Sequence, residues 1–139
     1  MKHLLLTTIA AVLLVGCVAL APLVLTPEDR LRSAAIDGNI EAVKRRLAAG
    51  ANVNAPNTYG WPALYYASSR GHKEIVELLI ANGADVNEPN RYGWTALYFA
   101  SSRGHKEIVE LLIANGAYVN PMVKPPTFSA NTAARRVKN

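Results

Sequence analysis

Cysteine is nearly missing from this sequence. Cys17 is the only one, so no disulfide can close within the chain and no paired-cysteine zinc site can be built. There is no glycine-rich loop of the kind that cradles phosphate. Acidic charge is the minority sign: ten Asp and Glu stand against fifteen Lys and Arg, for a net charge of +5. A basic balance suits nucleic acid, an anionic membrane or an acidic partner. Much of it comes from two clusters, Lys44 to Arg46 and Arg135 to Lys138. They read first as solvated surface and second as a patch for lipid headgroups. The chain has 139 residues, which allows one small domain.

Long apolar stretches are also lacking, with one exception at the start. Lys2 and His3 precede an apolar run from Leu4 to Val15, the layout of a secretory signal. The run ends in "LVGC", Leu14 to Cys17. This resembles the lipobox of bacterial lipoproteins, which implies cleavage before Cys17 and lipidation of its sulfur. Two other readings stay open. Leu4 to Leu25 is 22 mostly apolar residues, about 33 Å as a helix and long enough to span a bilayer uncleaved. Ordinary cleavage after "ALA", Ala19 to Ala21, is disfavoured by Pro22 directly behind it. All three make 1–25 an address or anchor with the amino end in the cytoplasm, because the positive charge comes first. The remainder is expected on the periplasmic side of a bacterial envelope membrane, inner or outer.

What the sequence has in abundance is itself. Gly60–Asn87 and Gly93–Asn120 differ at three places only: Pro62/Thr95, Tyr66/Phe99 and Asp85/Tyr118. Gly38, Gly71 and Gly104 mark a period of 33 residues. A fixed period of this size signals stacked repeats, here about 27–59, 60–92 and 93–125. Each unit reads as helix, turn, helix and hairpin loop. "ALYFASSR", Ala96 to Arg103, is a short helix ended by Gly104. "HKEIVELLIAN" opens a second, with Ile108, Val109, Leu111, Leu112 and Ile113 as its buried stripe. Gly116 stops it, and an extended turn rich in Asn, Pro and Gly follows. One unit cannot bury its stripe alone; stacking on a neighbour does so. Thr26, Pro27, Glu28 and Asp29 form a good helix start for the first unit. Arg45 and Arg46 stand where later units carry Leu78 and Leu79, as suits a terminal unit with one face in water. Residues 126–139, with "TFSANTAARRV", are a half-repeat covering the far end, with Phe128 and Val137 inward, or a loose tail.

The pattern "G-x-T-A-L-Y-x-A-S-x-x-G-H-x-E-I-V-x-L-L-I-x-x-G-A-x-V-N" resembles the ankyrin repeat over about Pro27 to Lys124. The resemblance implies an all-α, ankyrin-type solenoid of about three helix-turn-helix units with hairpin loops. It departs at the first helix. Ankyrins read Thr-Pro-Leu-His there, and this chain reads "PALY" at Pro62–Tyr65 and "TALY" at Thr95–Tyr98. The histidine's hydrogen bonds are then weakened or remade by tyrosine hydroxyls.

Chemistry is hard to place on this pattern. "GHKE" sets His72 and His105 two residues from Glu74 and Glu107, but positions i and i+2 do not face each other on a helix. The resemblance makes these histidines structural links between units. Ser68, Ser69, Ser101 and Ser102 lack a base and acid at triad spacing. No enzyme activity, metal or cofactor is expected. Nucleic acid is not expected either, since the basic and aromatic residues follow a scaffold period.

Partner contacts are better supported. In ankyrin domains the hairpin tips and inner face of the first helices bind other proteins. That implies Thr58, Tyr59, Trp61, Ser69 and Arg70 in the second unit, and Arg91, Tyr92, Trp94, Ser102 and Arg103 in the third. Tyr, Trp and Arg dominate binding hot spots. The opposing reading has Trp61 and Trp94 filling space against each other or a neighbouring turn. The expected role is a membrane-tethered protein-binding module of the bacterial envelope. Immunity protein or inhibitor of a secreted toxin or enzyme is one alternative; a membrane-surface protein acting through its basic patches is another.

Overall fold

The computed structural model describes residues 24–119. The lipobox with Cys17, nearly all of the 1–25 segment, and the 126–139 segment lie outside the described residues. Six helices follow in order: α1 (Pro27–Asp37), α2 (Ile40–Ala48), α3 (Ala63–Arg70), α4 (Lys73–Ala81), α5 (Ala96–Ser102) and α6 (Lys106–Ala114). There is no strand among the described residues. The helices pair as α1–α2, α3–α4 and α5–α6, and the pairs stack side by side: α1 on α3 on α5, and α2 on α4 on α6. The fold is an all-α ankyrin-type stack.

Local chemistry explains where the elements begin and end. The Thr26 hydroxyl accepts from the Asp29 N–H while Asp29 accepts from the Thr26 N–H, and Pro27 fills the first helical turn. The Thr26 backbone N–H, followed by the Arg32 guanidinium, holds the Asp29 carboxyl below its ordinary range. Arg32 is buried by the same arrangement: it pairs with Asp29 and donates to the Ala55 carbonyl at 2.8 Å. Among later helices the end of the first helix matters most. Gly71 closes α3 with φ +83°, a conformation that costs an L side chain energy.

The core runs through the stack as one cluster. Leu31, Leu64 and Leu97 come from the first helices; Val43, Val76, Leu79, Ile108 and Leu112 come from the second. Small residues at Ala35, Ala67 and Ala100, each fully buried, let the first helices approach closely. In α4 Ile75, Val76 and Leu79 are all at 1% exposure or less, and Leu78 and Ile80 are half-buried against the core. In α6 Ile108 and Leu112 are buried and Val109 and Leu111 half-buried, but Ile113 is 40% exposed. The expectation of a fully buried stripe fails at Ile113. Its counterpart Ile80 is half-buried because α6 stands beside α4, and no described helix stands beyond α6. At the opposite end Arg45 is exposed and Arg46 half-buried, on the outer helix of the first unit.

Two kinds of joint hold unit to unit. His72 Nε2 lies 3.1 Å from the Ile36 carbonyl, and His105 Nε2 lies 3.1 Å from the Ser69 carbonyl. A carbonyl can only accept, so Nε2 carries the proton in both. The second joint uses a hairpin asparagine. Asn54 donates to the Gly83 carbonyl at 3.0 Å and accepts from the Asp85 N–H at 2.8 Å. Asn87 repeats this on the Gly116 carbonyl and the Tyr118 N–H, both at 2.9 Å. These bonds satisfy backbone groups that the loops leave over.

Candidate protein-binding face

The hairpin tips are organised by one asparagine each. Asn57 Oδ1 accepts from the N–H groups of Tyr59 and Trp61, at 2.9 and 3.0 Å. Asn90 Oδ1 does the same for Tyr92 and Trp94, both at 2.9 Å. Side-chain oxygens that bond the backbone two and four residues on are what make Asn a turn residue. Successive tips touch: the Arg91 N–H reaches the Tyr59 carbonyl at 3.4 Å. A Cβ on Gly60 would stand 2.9 Å from that same nitrogen. Glycine there is what lets the two tips close on each other. Tyr59 and Tyr92 project beyond them, 59% and 70% exposed.

Behind the tips lies a row of rings. Trp61 packs on Tyr65 with centroids 3.6 Å apart, and Trp94 stacks on Tyr98 at 4.0 Å. A spacing of four residues puts each pair on one side of the chain where it enters its helix. Phe99 joins the two units: its centroid lies 5.1 Å from Trp61, 4.7 Å from Tyr65 and 5.1 Å from Tyr98. Tyr66 meets Tyr65 edge-on at 4.9 Å. All six rings are half-buried, so each gives one side to its neighbours and keeps another open. Edge and offset contacts of this kind add to the stability gained by burial. The two indoles do not stack on each other. They line a cleft with Tyr65, Asp85, Glu88 and Asn90.

The face carries both charges. Arg70 lies in the last turn of α3 and Arg103 caps α5, both exposed. Partial burial pushes the Tyr65 hydroxyl above the ordinary phenol value, against the pull of the Ser69 hydroxyl and the positive charges of Arg103 and Arg70. At the hairpin side, burial followed by the neighbouring Asp85 charge raises Glu88 above the ordinary carboxyl range.

The structure sorts the residues expected at the contact face. Thr58, Tyr59, Arg70, Arg91, Tyr92, Ser102 and Arg103 are exposed, and Trp61 and Trp94 are half-buried. Ser69 departs from the expectation. It is 5% exposed, and its carbonyl is taken by His105 of the next unit. Its counterpart Ser102 stays open, with its hydroxyl donating to the Phe99 carbonyl at 3.2 Å. Sequence reasoning did not single out Asn57 and Asn90. Their signal was the shared spacing of "NTYG" and "NRYG". Nor did it place Tyr65 and Tyr98 on the face, although Trp and Tyr stand four apart in both units.

At the tips the near-identical units are set apart by one bond. Asn57 Nδ2 donates to the Tyr66 hydroxyl at 2.8 Å. Phe99 takes that position in the third unit and has no hydroxyl. Asn90 Nδ2 is buried there without a hydrogen-bond partner. Phe99→Tyr supplies the acceptor, and the expected gain is about 1 kcal/mol. That corresponds to a rise of about 4–8 °C in melting midpoint for a domain of this size. Tyr66→Phe should lower the midpoint by a similar amount. A thermal melt in which neither variant moves would show that Asn90 is satisfied in solution by other means.

A family model described as ankyrin repeats, three copies, matches residues 31–122. No curated protein matches the chain.

Proposed function

This chain belongs to the ankyrin-repeat family, and from that membership we propose that it is a tethered binding module of the bacterial envelope. Ankyrin repeats are in general protein–protein interaction modules. In this reading the partner docks on the six-ring row, between the hairpin tips and the ends of the first helices, with Tyr59, Tyr92, Arg70, Arg91 and Arg103 around it. The observation that carries it is the row itself. Large half-open rings gathered on one side of a small stack exceed what the scaffold needs, and apolar surface rimmed by polar groups marks interaction sites. His72 and His105, the residues that could suggest catalysis, are already engaged in the joints between units.

The tether belongs to 1–25, with Cys17 as the lipidated residue. Intact mass after extraction separates the routes. A lipid-sized increment on a chain beginning at Cys17 supports lipidation, and an unmodified full-length chain supports a spanning helix. For the face, Trp61→Ala with Trp94→Ala should abolish recovery of the crosslinked partner while the helical circular dichroism signal persists. Undiminished partner recovery by a folded double variant would rule out the ring row as the contact.

A further inference from the structure

We propose that the segment docking on this face is acidic, with its carboxylates on Arg70 and Arg103 and an apolar side chain on the rings beside them. This rests on the protein-binding reading above and adds the chemistry of the partner.

The first ground is unbalanced charge. Arg32, Lys44 and Lys73 each pair with a carboxylate. Arg70, Arg91 and Arg103 have no carboxylate within 4.0 Å among the described residues, nor do Arg30, Arg45, Arg46 and Lys106, but only the first three stand at the tips and first-helix ends of the ring-bearing units. The second ground is position. The 33-residue period puts Asp37, Arg70 and Arg103 in one register. The positive charge therefore appears in the two units that carry the rings, and the first unit has the opposite sign there. Cations complement a helix C-terminus, but Asp37 holds the same place at the end of α1, so the helix end itself does not require an arginine there. The third ground is planar chemistry. A guanidinium fork binds a carboxylate through two parallel hydrogen bonds and sits readily beside an aromatic ring. Arg70 ends α3, the helix that carries Tyr65 and Tyr66, and Arg103 caps α5, which carries Tyr98 and Phe99, so both stand on the helices of the ring row.

The face also has a direction. Asp85 and Glu88 line the cleft with Trp61 and Trp94. They repel acid at that end, so the partner's carboxylates belong at the α3 and α5 ends and its apolar part toward the cleft.

The test uses the full-length chain and a fluorescein-labelled peptide of alternating glutamate and leucine. Matched peptides with lysine or serine in place of glutamate are the controls. Anisotropy should report binding of the glutamate peptide only, weakening as salt is raised. Arg70→Glu with Arg103→Glu should weaken it roughly tenfold or more. Equal binding of the serine or lysine peptide, or no effect of the charge reversal, overturns the acidic assignment. So does preferential binding to phosphatidylglycerol vesicles that the charge reversal removes. Crosslinking in cells separates the two proposals. If the charge-reversed protein keeps a partner that the Trp61/Trp94 double variant loses, the acidic assignment falls and the ring row stands. If both folded variants keep the partner, both proposals fall.

Discussion

Gly71→Ala should cost about 2–5 kcal/mol of stability, and the same change at Gly104 only about 1–2. The two glycines hold the same place in successive units, with φ of +83° and +77°. Alanine in that left-handed region costs about 1–2 kcal/mol at either. The rest comes from the neighbouring unit. A Cβ on Gly71 would stand 2.7 Å from the His105 ring, whereas nothing lies within 4 Å at Gly104. His105 cannot retreat freely, because its Nε2–H is held on the Ser69 carbonyl. Overpacking of this kind adds about 1–3 kcal/mol. Urea melts of the two variants give the difference. The His105→Ala background supplies the control: there Gly71→Ala should cost only what Gly104→Ala costs. Equal losses at both glycines in the parent chain would mean that the ring moves aside without penalty.

Leu79→Ala is expected to be at least as damaging, at about 2–5 kcal/mol. Leu79 is fully buried in α4, the middle of the three second helices, so α2 and α6 stand on either side of it. A cavity there touches both junctions of the stack. In a repeat array stability is nearly a sum over units and their interfaces, and damage to the central unit weakens two interfaces together. Small domains have about 5–15 kcal/mol in all, so this variant loses a large share of it. Ile113→Ala is the matched control. It removes as many carbons as Leu79→Ala does, but Ile113 is already 40% exposed. Its loss should stay well below that of Leu79→Ala. Comparable urea midpoints for the two would contradict the burial pattern.

Those two controls also show what was legible in the sequence. The period announced the fold, because glycines, helical stripe and near-identical wording recur together at 33 residues. Helix starts such as Thr26 to Asp29 were readable because capping is local. Burial was not local. Ser69 and Ser102 occupy one register, as do Ile80 and Ile113, and in each pair the earlier residue is the more covered. The cover comes from the following unit, which a position within the pattern does not express. The joints were half visible. The histidine's linking role came with the family resemblance, but its acceptor lies 36 residues back, and only the stacked backbone reveals it. On the face, Trp61 and Trp94 were readable as residue types the scaffold does not ask for. Their tyrosine partners were read as substitutes in a hydrogen-bonding position, so the continuous row of rings went unseen until the two units were set side by side.

The two junctions share their histidine and asparagine bonds. The histidine bond has one length at both, and the asparagine bonds agree within 0.1 Å, at 3.0 and 2.9 Å to the glycine carbonyl and 2.8 and 2.9 Å from the backbone N–H. Identical couplings make the chain modular in the engineer's sense. A 33-residue insertion in register brings its own histidine, asparagine and glycine, and meets the same fittings on either side. Lengthening the domain by one whole unit therefore leaves the old seams unchanged and extends the ring row by one more tryptophan and tyrosine. A one-residue insertion within a helix would instead shift that unit's fittings against its two neighbours and leave the remaining seams as they were.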